Sequence, residues 1–255
     1  MWLTCLMLAA ALAADDLPRV DLHVHIDSEE NPAKSITPAA AAALSQKLGI
    51  KFGVLAEGGC AGDIRDDRTL EEFLRGFEGV PLYRGLQVYG FDWPRCLSKQ
   101  NRAHLDYIAA DALIFPDRSG KNVWLWLAGV KFDDAQDFME RYVDFNVKVL
   151  SQPIQVWTNP TYLPESLEAR YAELWTPERM RRVITAAVKN RIAIELNTRF
   201  RIPSASFVRM AKDAGARFTF GSNGHVTSIG DISYGLNVAR QCGLTAKDFW
   251  QPAGR

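Results

Sequence analysis

Two histidines spaced two apart, His23 and His25, end the apolar alternating run Val20-Asp21-Leu22-His23-Val24-His25. On an extended strand residues i and i+2 point to one face, so both imidazoles face the same side and can share one metal ion. The chain has four histidines and this run takes two of them. A third, His225, closes Gly221-Ser222-Asn223-Gly224-His225 near the other end of the sequence. A lone His-x-His pair is a weak motif, with one or both as satisfied histidines near a strand end as the alternative, so its weight depends on what else converges there.

Polar groups recur just after nearly every apolar run. They are Glu57 before Gly58-Gly59-Cys60, Gln87 and Asp92, Asp111 and Asp117, Asn159 within Trp157-Thr158-Asn159-Pro160-Thr161, Glu195 and Asn197 followed by Arg199 and Arg201, and Asn223. Loops are polar in any protein, and for Asp92 or Asp111 alone an ordinary loop role is the better reading. The joint placement is what defines a candidate site. Neutral nitrogens from His23, His25 and His225 with the Glu57 carboxylate make a donor set for one zinc, manganese or iron ion. Such an ion makes bound water more acidic and polarises a phosphoryl or carbonyl oxygen. Glu57 is then a fourth ligand or a general base, and Asn223 joins it in the catalytic group. Arg199 or Arg201 holds a phosphate or carboxylate with its guanidinium fork, or else the two are an ordinary solvated loop pair. Gln87, Asn159 and Asn197 orient substrate hydroxyls. Trp93, Trp157 and Tyr162 suit stacking on a ring, although tryptophans in such folds also pack helices on strands. Cys60 lacks a histidine base and is not read as a nucleophile.

These groups need a scaffold that gathers strand ends. Apolar or β-branched runs near 19–26, 51–57, 83–89, 108–115, 153–157, 192–197 and 217–221 alternate with helical stretches, the pattern of a parallel α/β sheet. Thr37-Pro38 opens an Ala-rich helix to Leu48 and Gly49, and Thr176-Pro177-Glu178 supplies an N-cap, a first-turn proline and an acid for a helix to Lys189. Residues 134–150 carry apolar positions at helical spacing, and 204–214 form a shorter helix. Seven such runs suit a TIM-like (βα)7 barrel better than an open sheet, and in such a barrel the chemistry sits at the C-terminal strand ends. No Gly-x-Gly-x-x-Gly follows a strand, so a dinucleotide-binding sheet is excluded.

At 255 residues and 47% hydrophobic content, the chain can bury one sizeable core, here residues 15–255. Thirty basic and thirty acidic residues cancel and are dispersed, which gives no electrostatic case for a nucleic-acid or membrane-surface partner. The expected partner is a small molecule, and an anionic one is compatible with local arginines. Met1 to Ala14 resembles a signal peptide with an Ala-x-Ala cleavage site and is too short to span a bilayer. Cleavage implies an exported protein, periplasmic or secreted. The segment has no Lys or Arg ahead of its apolar run, so a cytoplasmic protein with an N-terminal tail is the alternative. Of Cys5, Cys60, Cys96 and Cys242, the first leaves with the leader, and three remaining cysteines argue against a fully paired framework.

Taken in order, Asp21-Leu22-His23-Val24-His25, Ile194-Glu195-Leu196-Asn197 and Phe218-Thr219-Phe220-Gly221-Ser222-Asn223-Gly224-His225 resemble the first, penultimate-strand and last motifs of the PHP (polymerase and histidinol phosphatase) superfamily. The resemblance runs over nearly the whole chain after the leader. It implies a distorted barrel and a metal-dependent phosphoesterase with a cluster of divalent ions. The departures cut that cluster down: Ala56-Glu57-Gly58 stands where the family has an acid-histidine pair, and Gln87, Asn159 and Asn223 stand in place of a glutamate, a histidine and an aspartate. Amides bind hard metals weakly and cannot bridge two ions. The expectation is therefore a hydrolase with a mononuclear site, the alternative being a catalytically degenerate barrel that binds a small ligand.

Overall fold

Every residue of Val20–His25 is buried, as a strand covered on both faces must be. In the computed structural model, which describes residues 17–27 and 35–253, this strand is β1. It is followed by β2 (Lys51–Gly58), β3 (Tyr83–Val88), β4 (Tyr107–Ala110), β5 (Ile114–Pro116), β6 (Asn122–Trp124), β7 (Val156–Trp157), β8 (Ala193–Asn197), β9 (Phe218–Gly221) and β10 (Gly224–His225). The main sheet has eight strands in the order β10-β1-β2-β3-β4-β7-β8-β9, and every neighbouring pair in it is parallel. Helices cover its outside. The result is an α/β fold with a nearly closed, barrel-like parallel sheet, compatible with a TIM-like barrel.

Closure between β9 and β1 is made by a side chain. Asp21 Oδ1 accepts the backbone N–H of Ser222 (2.9 Å) and of His23 (3.2 Å), and Oδ2 accepts that of Gly230 (3.0 Å). The chain then turns at Asn223 and lays β10 along the free edge of β1, with His25 opposite His225. At the opposite wall, Tyr107 crosses the interior and donates its hydroxyl to the Leu22 carbonyl (2.7 Å). Gly53 and Gly85 leave space for that ring, since a Cβ at either position would overlap it.

The four expected helices form, and Thr176 caps Pro177–Lys189 as read. Thr37, Asp134 and Ser204 also cap with a side-chain oxygen the helices Pro38–Leu48, Ala135–Val149 and Ala205–Asp213. Two strand expectations need correction. The run 108–115 is broken after Ala110, because Asp111 turns the chain by accepting the Leu113 N–H (2.9 Å), and β5 pairs only with β6 in a separate antiparallel hairpin. Only Val156 and Trp157 of the run 153–157 join the sheet. The cysteines are not fully paired, yet one bond that the sequence did not signal is present: Cys60 and Cys96 are disulfide-bonded, with Cα atoms 5.6 Å apart, and Cys242 is free and buried. The predicted leader, 1–14, lies outside the described residues. Among the described residues no helix is long and apolar enough to cross a membrane.

Candidate functional site

The C-terminal ends of the parallel strands surround a cavity of about 520 Å³. Its lining includes His23 and His25 from β1, Glu57 from β2, Gln87 from β3, and His225 from β10. Asn159, Arg199 and Asn223 come from the loops that follow β7, β8 and β9. Strand alternation explains the convergence, because His23 and His25, like Glu195 and Asn197, are i and i+2 pairs on inward faces.

His23 is the most constrained of these. Its Nδ1 meets Glu195 Oε1 at 2.6 Å, and its Nε2 is buried with no hydrogen-bond partner. Gly221 is what lets Glu195 come this close, since a Cβ there would collide with Glu195 Oε1 and crowd the His23 Cβ. Burial opposes charge on His23, but the Glu195 carboxylate, backed by Asp111 and Asp21, outweighs it and shifts the imidazole pKa upward. His25 goes the other way: burial, then repulsion from His23, His225 and Arg199, holds it well below the ordinary histidine range. His225 is pushed down to about 4, mainly by burial and then by Arg199 and His23. Its ring stacks on His25 with centroids 4.5 Å apart, while the His23 and His25 centroids lie 5.1 Å apart.

From Glu195 a network runs across the cavity floor. Glu195 Oε2 accepts the backbone N–H of Asn159 (2.6 Å) and the Asn197 side-chain amide (3.0 Å). Asn159 Oδ1 accepts from the side-chain amides of Asn197 and Asn223, both at 3.0 Å. Asn159 Nδ2 and Gln87 Nε2 each donate to Asp111 Oδ2 at 2.8 Å. Asn223 and Asn159 therefore bind each other, and Asn159 and Gln87 share Asp111. Burial pushes the Asp111 carboxyl pKa upward, against the downward pull of its hydrogen bonds from Leu113 and the two amides. Two buried polar atoms among the cavity-lining side chains are left without partners, His23 Nε2 and Gln87 Oε1.

Most of the expected residues meet here. Glu57 lines the cavity beside Tyr89, whose hydroxyl donates to Glu57 Oε1 at 3.3 Å. Asn197 is fully buried beneath the lining and positions Asn159 and Glu195. The two arginines part: Arg199 lines the cavity, whereas Arg201 lies over the Tyr234 ring (5.9 Å) in a separate depression. Trp93 and Trp157 are fully buried core, and Tyr162 alone of the three aromatics reaches the cavity. Asp92 precedes a short helix and Asp117 caps the hairpin turn, accepting from Ser119 and Lys121. Asp111, read as ordinary loop, is part of the site, and Trp126 carried no sequence signal for its place in the lining.

A metal ion was tested against this geometry. An imidazole held by a carboxylate on one nitrogen and bare on the other is how histidine ligands are oriented, and His25 and His225 are kept neutral as ligands must be. Among the described residues, no three His, Cys, Asp or Glu side chains gather in an arrangement that holds an ion. The imidazoles are donors of the right chemistry for an ion, and Gln87, Asn159 and Asn223 add only amides to the lining.

No protein-family model matches the chain, and no curated protein matches it. Among solved structures, a chain of archaeal ribonuclease P, determined by cryo-electron microscopy with mature tRNA, aligns over 87% of this chain and 86% of its own. The identity is 13% and the TM-score 0.42, a level of likeness on which nothing further is built.

Proposed function

We propose that this chain is a divergent PHP-like hydrolase that cleaves a small phosphoester, with one divalent ion, zinc, manganese or iron, held by His23, His25 and His225 with Glu57 beside them. The observation that carries this reading is the bare, buried Nε2 of His23 on a ring fixed through Nδ1 by Glu195. When bound, such an ion supplies Lewis acidity, making water more acidic and a phosphoryl oxygen more electrophilic. Arg199 neutralises charge on the phosphate, Glu57 takes the proton from the attacking water, and the fixed amides of Asn159 and Asn223 hold the substrate against the floor. Elemental mass spectrometry on protein purified without chelator, with hydrolysis of p-nitrophenyl phosphate, tests it. About one ion per chain and metal-dependent turnover are expected. Protein that carries no ion and takes none up on titration defeats it.

A second reading has its own support. Amides committed to one another and to Asp111 are a fixed floor, suited to holding a ligand without reacting with it. Protein that binds a ligand in the cavity but neither metal nor turnover would be a catalytically degenerate barrel. Export is part of the same proposal, supported by the Cys60–Cys96 disulfide, which oxidising compartments maintain.

A further inference from the structure

The cavity has a wall that the hydrolase reading does not use. Trp126, which follows the β5–β6 hairpin, lines the cavity yet is 42% exposed. A large indole left partly in water at the mouth of a polar cavity is a ready face for the flat side of a ligand. Across the floor, Gln87 is 2% exposed and its Oε1 has no partner, while its Nε2 is committed to Asp111. The amide therefore cannot turn over without breaking that bond. It presents a desolvated acceptor suited to a ligand donor, a hydroxyl or an N–H. Arg199 supplies a cation in the same lining. A flat carbon face, at least one hydroxyl donor and one anionic group together describe a narrow class.

Resting on the phosphoester reading above, we propose that the substrate is the monophosphate of a sugar or open-chain polyol, its carbon face on Trp126, a hydroxyl donated to Gln87 Oε1 and its phosphate at Arg199. An aryl phosphate would use Trp126 and Arg199 but leave the Gln87 acceptor buried and unpaired. Inorganic phosphate would use Arg199 alone.

The test is calorimetric titration of the full chain, with and without added zinc or manganese, against hexose, pentose and glycerol monophosphates, phenyl phosphate and inorganic phosphate. At least one sugar or polyol phosphate is expected to bind about tenfold or more tighter than both phenyl phosphate and inorganic phosphate. Trp126→Ala and Gln87→Met should each remove most of that preference while leaving inorganic phosphate binding in place. Trp124→Ala, which changes an exposed indole outside the lining, should leave it intact. Phenyl phosphate binding tightest, no panel member exceeding inorganic phosphate, or a preference that survives Trp126→Ala would each overturn the inference. Because binding is read without turnover, sugar phosphate binding in a chain that takes up no metal would keep this inference and sink the hydrolase. Hydrolysis without any sugar preference would do the reverse.

Discussion

His23 and Glu195 lie 172 positions apart in the chain and meet at 2.6 Å, Nδ1 to Oε1, with both side chains 1% exposed. The contact fixes which nitrogen of His23 faces the cavity. It also ties β1 to β8 across β9, so these two strands share one buried pair. Glu195→Gln keeps the shape but removes the charge that favours a proton on Nδ1. Zinc affinity should fall about 10–100-fold, the usual effect of losing a carboxylate behind a histidine ligand. Competition titration against a chelator reads this directly, and an unchanged affinity would mean that Glu195 serves packing alone.

Gly221 makes that pair possible. An added Cβ would overlap Glu195 Oε1 outright and stand 2.8 Å from the His23 Cβ. Gly221→Ala must therefore move one of them, at the cost of about 1–3 kcal/mol for overpacking a tight core. Urea unfolding should show that loss as a lower midpoint with an unchanged slope. Full stability in this variant would show that Glu195 has room to retreat.

Acid should act on this site through His225. Its folded pKa of about 4 lies below the unfolded value of 6.5, so the stability it contributes is present above pH 6.5 and is lost as pH falls through about 4. Asp21 runs oppositely. Burial raises it from 3.8 to about 6 despite three backbone N–H donors, so its contribution is present below pH 3.8 and lost as pH rises through about 6. The wild-type profile mixes the two. The difference between wild type and His225→Asn isolates the histidine: the stability of wild type relative to the variant should fall steadily from pH 7 to pH 4. A difference flat in pH would place the His225 pKa near its ordinary value.

The strands, the capped helices and the convergence of the three histidines were legible because each follows from short-range pattern. Alternation sets the facing of His23 and His25, Thr37-Pro38 and Thr176-Pro177 mark two helix starts, and apolar spacing marks the helix over 135–149. The role of Asp111 was not legible. Its meaning depends on Gln87 and Asn159, which are 24 and 48 positions away. Arg199 and Arg201 share the spacing that puts two side chains on one face of a strand, but they follow β8 rather than lie in it. Arg201 has a φ of 54°, and the left-handed turn sends it toward Tyr234. The Cys60–Cys96 pairing was missed because an odd count after leader removal says nothing about which two cysteines the fold brings together.

That disulfide joins the loop after β2, which follows Glu57, to the short helix after β3, which follows Gln87. Closing a loop between residues 36 apart should stabilise the fold by about 2–4 kcal/mol. Cys60→Ser should lower the unfolding midpoint accordingly, and reductant should do the same to wild type while leaving the variant unmoved. Alkylation followed by intact-mass measurement gives the complementary count. Labelling of all three cysteines outside the predicted leader without reductant would show that the bond is absent.

The amide network sets the last expectation, because Asn223→Asp returns an anion to the position where the resembled family has one. In the present site the Asn223 amide donates to Asn159 Oδ1, and Asn159 cannot reverse its own amide without giving up its bond to Asp111. A carboxylate at 223 therefore faces an acceptor with no proton between them. Without metal, the variant should lose about 1–3 kcal/mol, the cost of an unmet buried polar group. With a divalent ion beside His23 and His225 the same carboxylate gains a partner, so added zinc or manganese should restore the loss and raise the melting temperature by more than in wild type. Thermal unfolding of both proteins, with chelator and with each metal, measures the two effects separately. Destabilisation that no divalent ion relieves would place the ion away from residue 223, and a variant as stable as wild type under chelator would show that the network is slack.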